Sequence, residues 1–132
     1  MDIPDDLQYT ANHEWLRLEG DNAIVGICDH AQADLGGIVF VGLPKVGAQV
    51  AANEAVTVLR SANATIDVHS PISGTITEVN GALEKDPSLV NTDPYGEGWL
   101  YSIRIEAGEE IEQLMDSAVY KARFFGADSP EV

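Results

Sequence analysis

Apolar and polar positions alternate through most of the middle of the chain, with the two-residue period of half-buried strands. Ile38-Val39-Phe40-Val41, Val56-Thr57-Val58-Leu59 and Ile66-Asp67-Val68 are rich in β-branched residues, which suit a pleated surface. Further strands are predicted over residues 23–27, 74–79 and 99–105. In the last of these, Leu100, Ser102 and Arg104 fall on one side. Trp99, Tyr101, Ile103 and Ile105 fall on the other. Helical periodicity is confined to the flanks. Asp29 can cap a short helix through Leu35 that Gly36 ends, and residues 86–90 can form one more turn. Residues 109–125 read as one amphipathic helix, with Ile111, Leu114, Met115, Ala118, Val119, Ala122 and Phe125 on its apolar stripe. Glu109, Glu110 and Glu112 at its start and Lys121 and Arg123 near its end match the helix dipole. The stripe is assigned to core packing, and residues 126–132 to a flexible tail behind a single domain over residues 1–125.

A repeat underlies the strand pattern. Val41-x-x-Pro44-x-x-Gly47 recurs 27 residues later as Val68-x-x-Pro71-x-x-Gly74, and Val39 and Ile66 match in type two residues before each copy. Each copy reads as a strand, a bend and a second strand, because proline cannot sit inside a central ladder. Two copies are too few for a solenoid. They predict a pair of small sheets folded as a flattened sandwich or barrel. Between the copies, Arg60-Ser61-Ala62-Asn63-Ala64-Thr65 joins two strands. Its small residues and its asparagine suit a tight hairpin projecting from the molecule.

Composition narrows the possible partners. The chain has 132 residues, 7 basic and 22 acidic, for a net charge of −15. Such charge is repelled by nucleic acid and by anionic membranes, and suits docking on basic surfaces. A hydrophobic content of 45% is too high for a disordered acidic chain. Cys28 is the only cysteine, which excludes an internal disulfide framework and a cysteine-rich zinc site. No apolar run reaches the length of a membrane span, and the acidic start Met1-Asp2-Ile3-Pro4-Asp5-Asp6 predicts neither signal nor transit peptide. A reduced, cytoplasmic setting is expected.

A longer series of motifs then stands in order. His13-Glu14-Trp15 is followed by Val25-Gly26-Ile27, Ala31-Gln32, Leu35-Gly36 and Leu43-Pro44. Ser70-Pro71-Ile72-Ser73-Gly74, Glu78-Val79-Asn80, Leu89-Val90-Asn91, Asp93-Pro94-Tyr95-Gly96 and Gly98-Trp99 come next. The series covers nearly the whole chain and resembles the glycine cleavage system H proteins. The resemblance implies a mainly β, lipoyl-domain-like hammerhead with short flanking helices and a C-terminal helix. It implies a carrier without catalytic residues of its own. Family members bear lipoate on a lysine at the hairpin tip. The arm takes an aminomethyl group from glycine decarboxylase, presents it to aminomethyltransferase, and is reoxidised by dihydrolipoyl dehydrogenase. No metal and no membrane are implied, and a monomer is expected.

The attachment lysine lies eleven residues before the last glycine of the Ser-Pro-x-Ser-Gly type motif, which is Asn63 here. Ser61 matches the family's tip, whereas Arg60 stands where the family has glutamate. The only lysines are Lys45, Lys85 and Lys121, and an asparagine amide has no basic nitrogen to acylate. Lipoate is therefore the family's cofactor, and its covalent attachment is expected to be absent. Gly37 and Gly42 also stand where the family often carries acidic residues. Together these departures suggest a chain no longer selected for lipoylation. Two readings follow. The first is an H-protein-like component inactive in aminomethyl transfer. The second is an interaction or regulatory module that docks on glycine-cleavage or lipoate-handling enzymes.

Other constellations are weaker. Glu14 and Asp67 match positions associated with the cleft that shelters the arm's amine, and a carboxylate beside a cationic amine is a sound pairing. The plainer alternative makes Glu14 a surface acid and Asp67 a strand-edge acid. His13, His30 and His69 have no metal-ligand spacing. Cys28-Asp29-His30 is not a catalytic pair if it lies on a strand, where neighbours point to opposite faces, and Cys28 reads as a half-buried strand-end residue. The glycine-rich segment 94–99 lacks the lysine of a phosphate loop and reads as a turn that sends Trp99 into the core.

Overall fold

A computed structural model describes residues 3–62 and 64–125. Along the chain it shows β1 (Gln8–Tyr9), β2 (Glu14–Glu19), β3 (Asn22–Ile27), α1 (Asp29–Leu35), β4 (Ile38–Gly42), β5 (Gln49–Val50), β6 (Ala55–Ser61) and β7 (Thr65–His69). Then come β8 (Gly74–Val79), α2 (Ala82–Lys85), α3 (Leu89–Thr92), β9 (Tyr101–Ile105), a 3-10 helix (Gly108–Gln113) and α4 (Ser117–Phe125). The strands form a six-stranded sheet in the order β1-β2-β3-β9-β8-β5 and a three-stranded sheet in the order β4-β6-β7. This is the mainly β sandwich with flanking helices that the pattern predicts.

The repeat marks the two crossings between the sheets. Val41 and Val68 are buried on β4 and β7, the two edges of the small sheet. Past Pro44 and Pro71 the chain passes to the large sheet, where β5 and β8 pair through Gln49↔Thr75 and Val50↔Gly74. Gly47 has φ 92, a left-handed conformation open to glycine at little cost. Gly74 is required by proximity instead, since a Cβ there would lie 2.0 Å from the Arg104 carbonyl oxygen. The interior between the sheets is one apolar cluster. Leu16, Val25, Ile76 and Ile103 come from the large sheet, and Val41, Leu59 and Val68 from the small one.

A second cluster explains a strand that the pattern hides. Glu14, Trp15 and Leu16 open β2 and are all buried, so no alternation shows. Leu16 faces the main core, while Trp15 joins Leu7, Tyr9, Cys28 and Tyr120 on the opposite face, beneath α4. Both faces of the strand are covered at that end, which erases the two-residue signal. The short strands β1 and β5 also carry too few residues to show a period.

The predicted helix over residues 109–125 is in fact two. The 3-10 helix ends at Gln113, and Met115 forms an antiparallel bridge with Tyr9. Tyr9 N donates to Met115 O at 2.7 Å, and Met115 N donates to Tyr9 O at 2.9 Å. Those bonds take the backbone groups a continuous helix needs. Helix α4 then restarts, with the Asp116 carboxylate accepting from Val119 N. The buried face moves with the break. Ser117 and Tyr120 are buried and Phe124 is half-buried, while Ala118, Val119 and Ala122 are exposed.

Smaller expectations also shift. Asp29 is the first residue of α1 rather than its cap, which is Cys28, and Gly36 ends the helix at φ 79. In place of one turn over residues 86–90 there are two, α2 before that segment and α3 overlapping its last two residues. Trp99 is half-buried and precedes β9, which begins at Tyr101. The tail over residues 126–132 lies outside the described residues.

Candidate functional site

The hairpin predicted between the two copies of the repeat is built by β6 and β7. Val58↔Asp67, Leu59↔Ile66 and Arg60↔Thr65 set its register. Ser61 closes it. Its N–H donates to Ala64 O at 2.8 Å, and its Oγ accepts from Ala64 N at 3.2 Å. Ser61 also pairs with Ile38 on β4 and is buried, so it ties the hairpin end to the third strand. Asn63 lies outside the described residues, between Ser61 and Ala64.

Arg60 is exposed on β6, with its guanidinium 5.0 Å from the centre of the Phe40 ring on β4. A cation over an aromatic face is attractive and holds the side chain down on the small sheet. Asp67 is exposed on the edge strand β7. No hairpin residue from Arg60 to Thr65 carries a primary amine. The three lysines sit elsewhere: Lys45 between β4 and β5, Lys85 on α2 and Lys121 on α4.

Glu14 is not a surface acid. It is 2% exposed at the start of β2. Its Oε1 accepts from Thr10 Oγ1 at 3.0 Å and its Oε2 from His69 N at 2.6 Å. The His69 Nδ1 lies 3.8 Å from the same Oε2. Burial raises the Glu14 pKa, opposed by the His69 amide, the Thr10 hydroxyl and the His69 ring charge. The carboxylate thereby fastens the large sheet, through β2, to the end of the small sheet at β7. Asp67 and His69 share a face of β7 by the two-residue period. No spacing pattern in the sequence marks His69 as the partner of Glu14, because 55 residues separate them.

The remaining candidates are placed plainly. His13 and His30 come together, with ring centres 4.7 Å apart, while His69 sits at Glu14. Among the described residues no three His, Cys, Asp or Glu side chains converge as metal ligands. Cys28 is buried rather than half-buried, at 1% exposure. That burial pushes its thiol up to about 12, against hydrogen bonds from Tyr120 and Tyr95, so the thiolate a nucleophile needs is scarce at neutral pH. No helix among the described residues is long and apolar enough to cross a membrane.

Comparison with known proteins covers this architecture almost completely. The family model described as "Glycine cleavage H-protein" matches residues 7–125. The chain is 48% identical over 122 residues to the glycine cleavage system H protein of Acinetobacter baumannii strain SDF, covering 92% of this chain and 98% of that protein. It is 56% identical over 110 residues to the glycine cleavage system H protein of Rubrobacter xylanophilus, covering 83% and 87%. A crystal structure of a glycine cleavage system H protein from Mycobacterium marinum superposes with a TM-score of 0.84 at 41% identity, covering 92% of this chain and 98% of that one. The chain belongs to the glycine cleavage H-protein family, whose members are lipoyl carriers rather than catalysts.

Proposed function

We propose that this chain is an H-protein-like component of the glycine cleavage system that does not carry lipoate. One observation supports this above the others: Asn63 stands at the attachment position, in a hairpin of the family's length, where no lysine is within reach along the chain. The family role implies docking on glycine decarboxylase, aminomethyltransferase and dihydrolipoyl dehydrogenase. On this reading the chain keeps the docking scaffold and lacks the swinging arm. It works as a cytoplasmic monomer, one domain over residues 1–125 with a tail at 126–132. On this reading Glu14 and Asp67 belong to the retained cleft.

A second reading, a regulatory module that occupies glycine-cleavage or lipoate-handling enzymes without turnover, is favoured by the neighbouring departures. A Cβ at Gly37 would meet no atom within 4 Å. At Gly42 it would lie 3.3 Å from the exposed Phe40 ring, which can move aside. Neither glycine is demanded by its backbone, so the absence of acidic side chains there is free to reflect a changed surface. Arg60 adds a cation to the same sheet.

Intact mass after co-expression with a lipoate ligase tests the main reading. The unmodified mass is expected, and a stoichiometric lipoyl adduct overturns it. Asn63→Lys, alone or with Arg60→Glu, then separates the two readings. Restored lipoylation and glycine cleavage identify a working carrier surface, whereas failure of both variants favours the regulatory module.

A further inference from the structure

The end of the chain is held by an unusual group of rings. His13, in the turn between β1 and β2, adopts φ 66. Its Nδ1 is 2.6 Å from the Tyr120 hydroxyl of α4. Its ring lies 4.7 Å from His30 of α1 and 4.9 Å from Phe124 of α4. His30 meets Phe125 at 5.1 Å, and Tyr120 stacks on Tyr9 at 4.6 Å. Two imidazoles from separate elements therefore form the seat on which α4 rests. Cys28 is buried in the same cluster as Tyr120.

We propose that α4 is a pH-sensitive latch: protonation of His13 beside His30 releases it from its seat and uncovers Cys28. In the neutral tautomer with its hydrogen on Nε2, His13 Nδ1 accepts a hydrogen bond from the Tyr120 hydroxyl. A protonated ring must donate at that nitrogen, so the tyrosine must turn its own proton away from it. A charged His13 ring also meets repulsion from His30, whose ring centre lies 4.7 Å away. The other charged or titratable groups facing the pair are few. Asp34 of α1 lies 3.8 Å from His30 Nε2 and offsets part of that repulsion. Tyr120 faces it from α4, where Arg123 stacks on Phe124 and adds further positive charge.

The sign follows from linkage. The pKa of His13 is lowered by burial, then by His30, with Asp34 acting weakly the other way. A histidine whose docked-state pKa is depressed favours docking while neutral. It loses that contribution as pH falls through the ordinary value of about 6.5 toward the docked one.

The test is the labelling rate of Cys28, the only thiol, by 4,4′-dithiodipyridine on the full chain, relative to a free-thiol peptide. Between about pH 7.5 and 5.5 a rise of about fivefold or more is expected, with the β-sheet circular dichroism unchanged. His13→Asn keeps a residue that tolerates positive φ and is expected to hold the rate within about twofold across that range. His30→Gln leaves His13 in place and is expected to shrink the rise, an outcome that carries the test if His13→Asn does not fold. A wild-type rate flat within about twofold, loss of the sheet signal along with the labelling, or a full rise in His13→Asn overturns the latch.

Discussion

At the residue scale, the most informative side chain is Glu14. A buried carboxylate is tolerated only where its acceptors are filled, and here Thr10 and the His69 amide fill them. Glu14→Ala removes the acceptors and leaves the His69 N–H buried without a partner. Its cost is expected at about 2–3 kcal/mol in urea unfolding. Glu14→Gln keeps the shape and an acceptor, and is expected to cost less than half of that. Equal losses in the two variants show that the charge rather than the hydrogen bond holds the junction. Glycines offer a cleaner contrast. Gly74→Ala drives a Cβ against the Arg104 carbonyl and is expected to destabilise by more than about 2 kcal/mol. Gly37→Ala meets open space and is expected to stay within about 0.5 kcal/mol of the parent. The family-like His-Glu-Trp segment was visible in the sequence. The direction in which Glu14 points was not, because its partner belongs to another sheet.

At the scale of elements, local pattern served well where one face of a strand is buried and the other exposed. Strands β3, β4, β6, β7, β8 and β9 all fall on predicted segments, with ends moved by a residue or two. It failed where tertiary contact outranks local preference. Residues 109–125 have a helical stripe, yet the Tyr9–Met115 bridge interrupts it, since two cross-chain hydrogen bonds and the burial of Tyr9 outweigh continuous helix. Amide hydrogen exchange checks this break. Slow exchange is expected at Tyr9 and Met115, whose N–H groups bond each other's carbonyls, and at Tyr120, which donates to Asp116 O. Fast exchange at Tyr9 with slow exchange at Asp116 fits the single helix instead, since Met115 is protected in either case. The same bridge starts α4 afresh, and so decides which of its residues meet the His13–His30 pair.

At the scale of the whole molecule, the two crossings of the repeat place the hairpin β6–β7 on the smaller sheet. The charge of −15 is spread over a fold whose core is almost wholly apolar. Its chemistry therefore lies at surfaces and at the seam between sheets, as befits a carrier family rather than a catalyst. The candidate site was legible in outline because a covalent arm needs one residue type at one place on a hairpin. Absence of that residue is a property of the sequence alone. The rest of the site was hidden because electrostatic environment depends on burial, which no spacing records.

The sequence by itself determined the strands with one buried face, the two crossings at Pro44 and Pro71, the family, and the missing amine at the hairpin. Each rests on local period, backbone restriction or side-chain chemistry, which neighbouring residues suffice to encode. Tertiary structure alone decided that Glu14 is a buried fastener, that His69 is its partner, that residues 109–125 break in two, and that His13 meets His30 beneath α4. Those outcomes turn on contacts between residues far apart along the chain. Their free energies come from desolvation and hydrogen bonds that exist only once the sheets have closed.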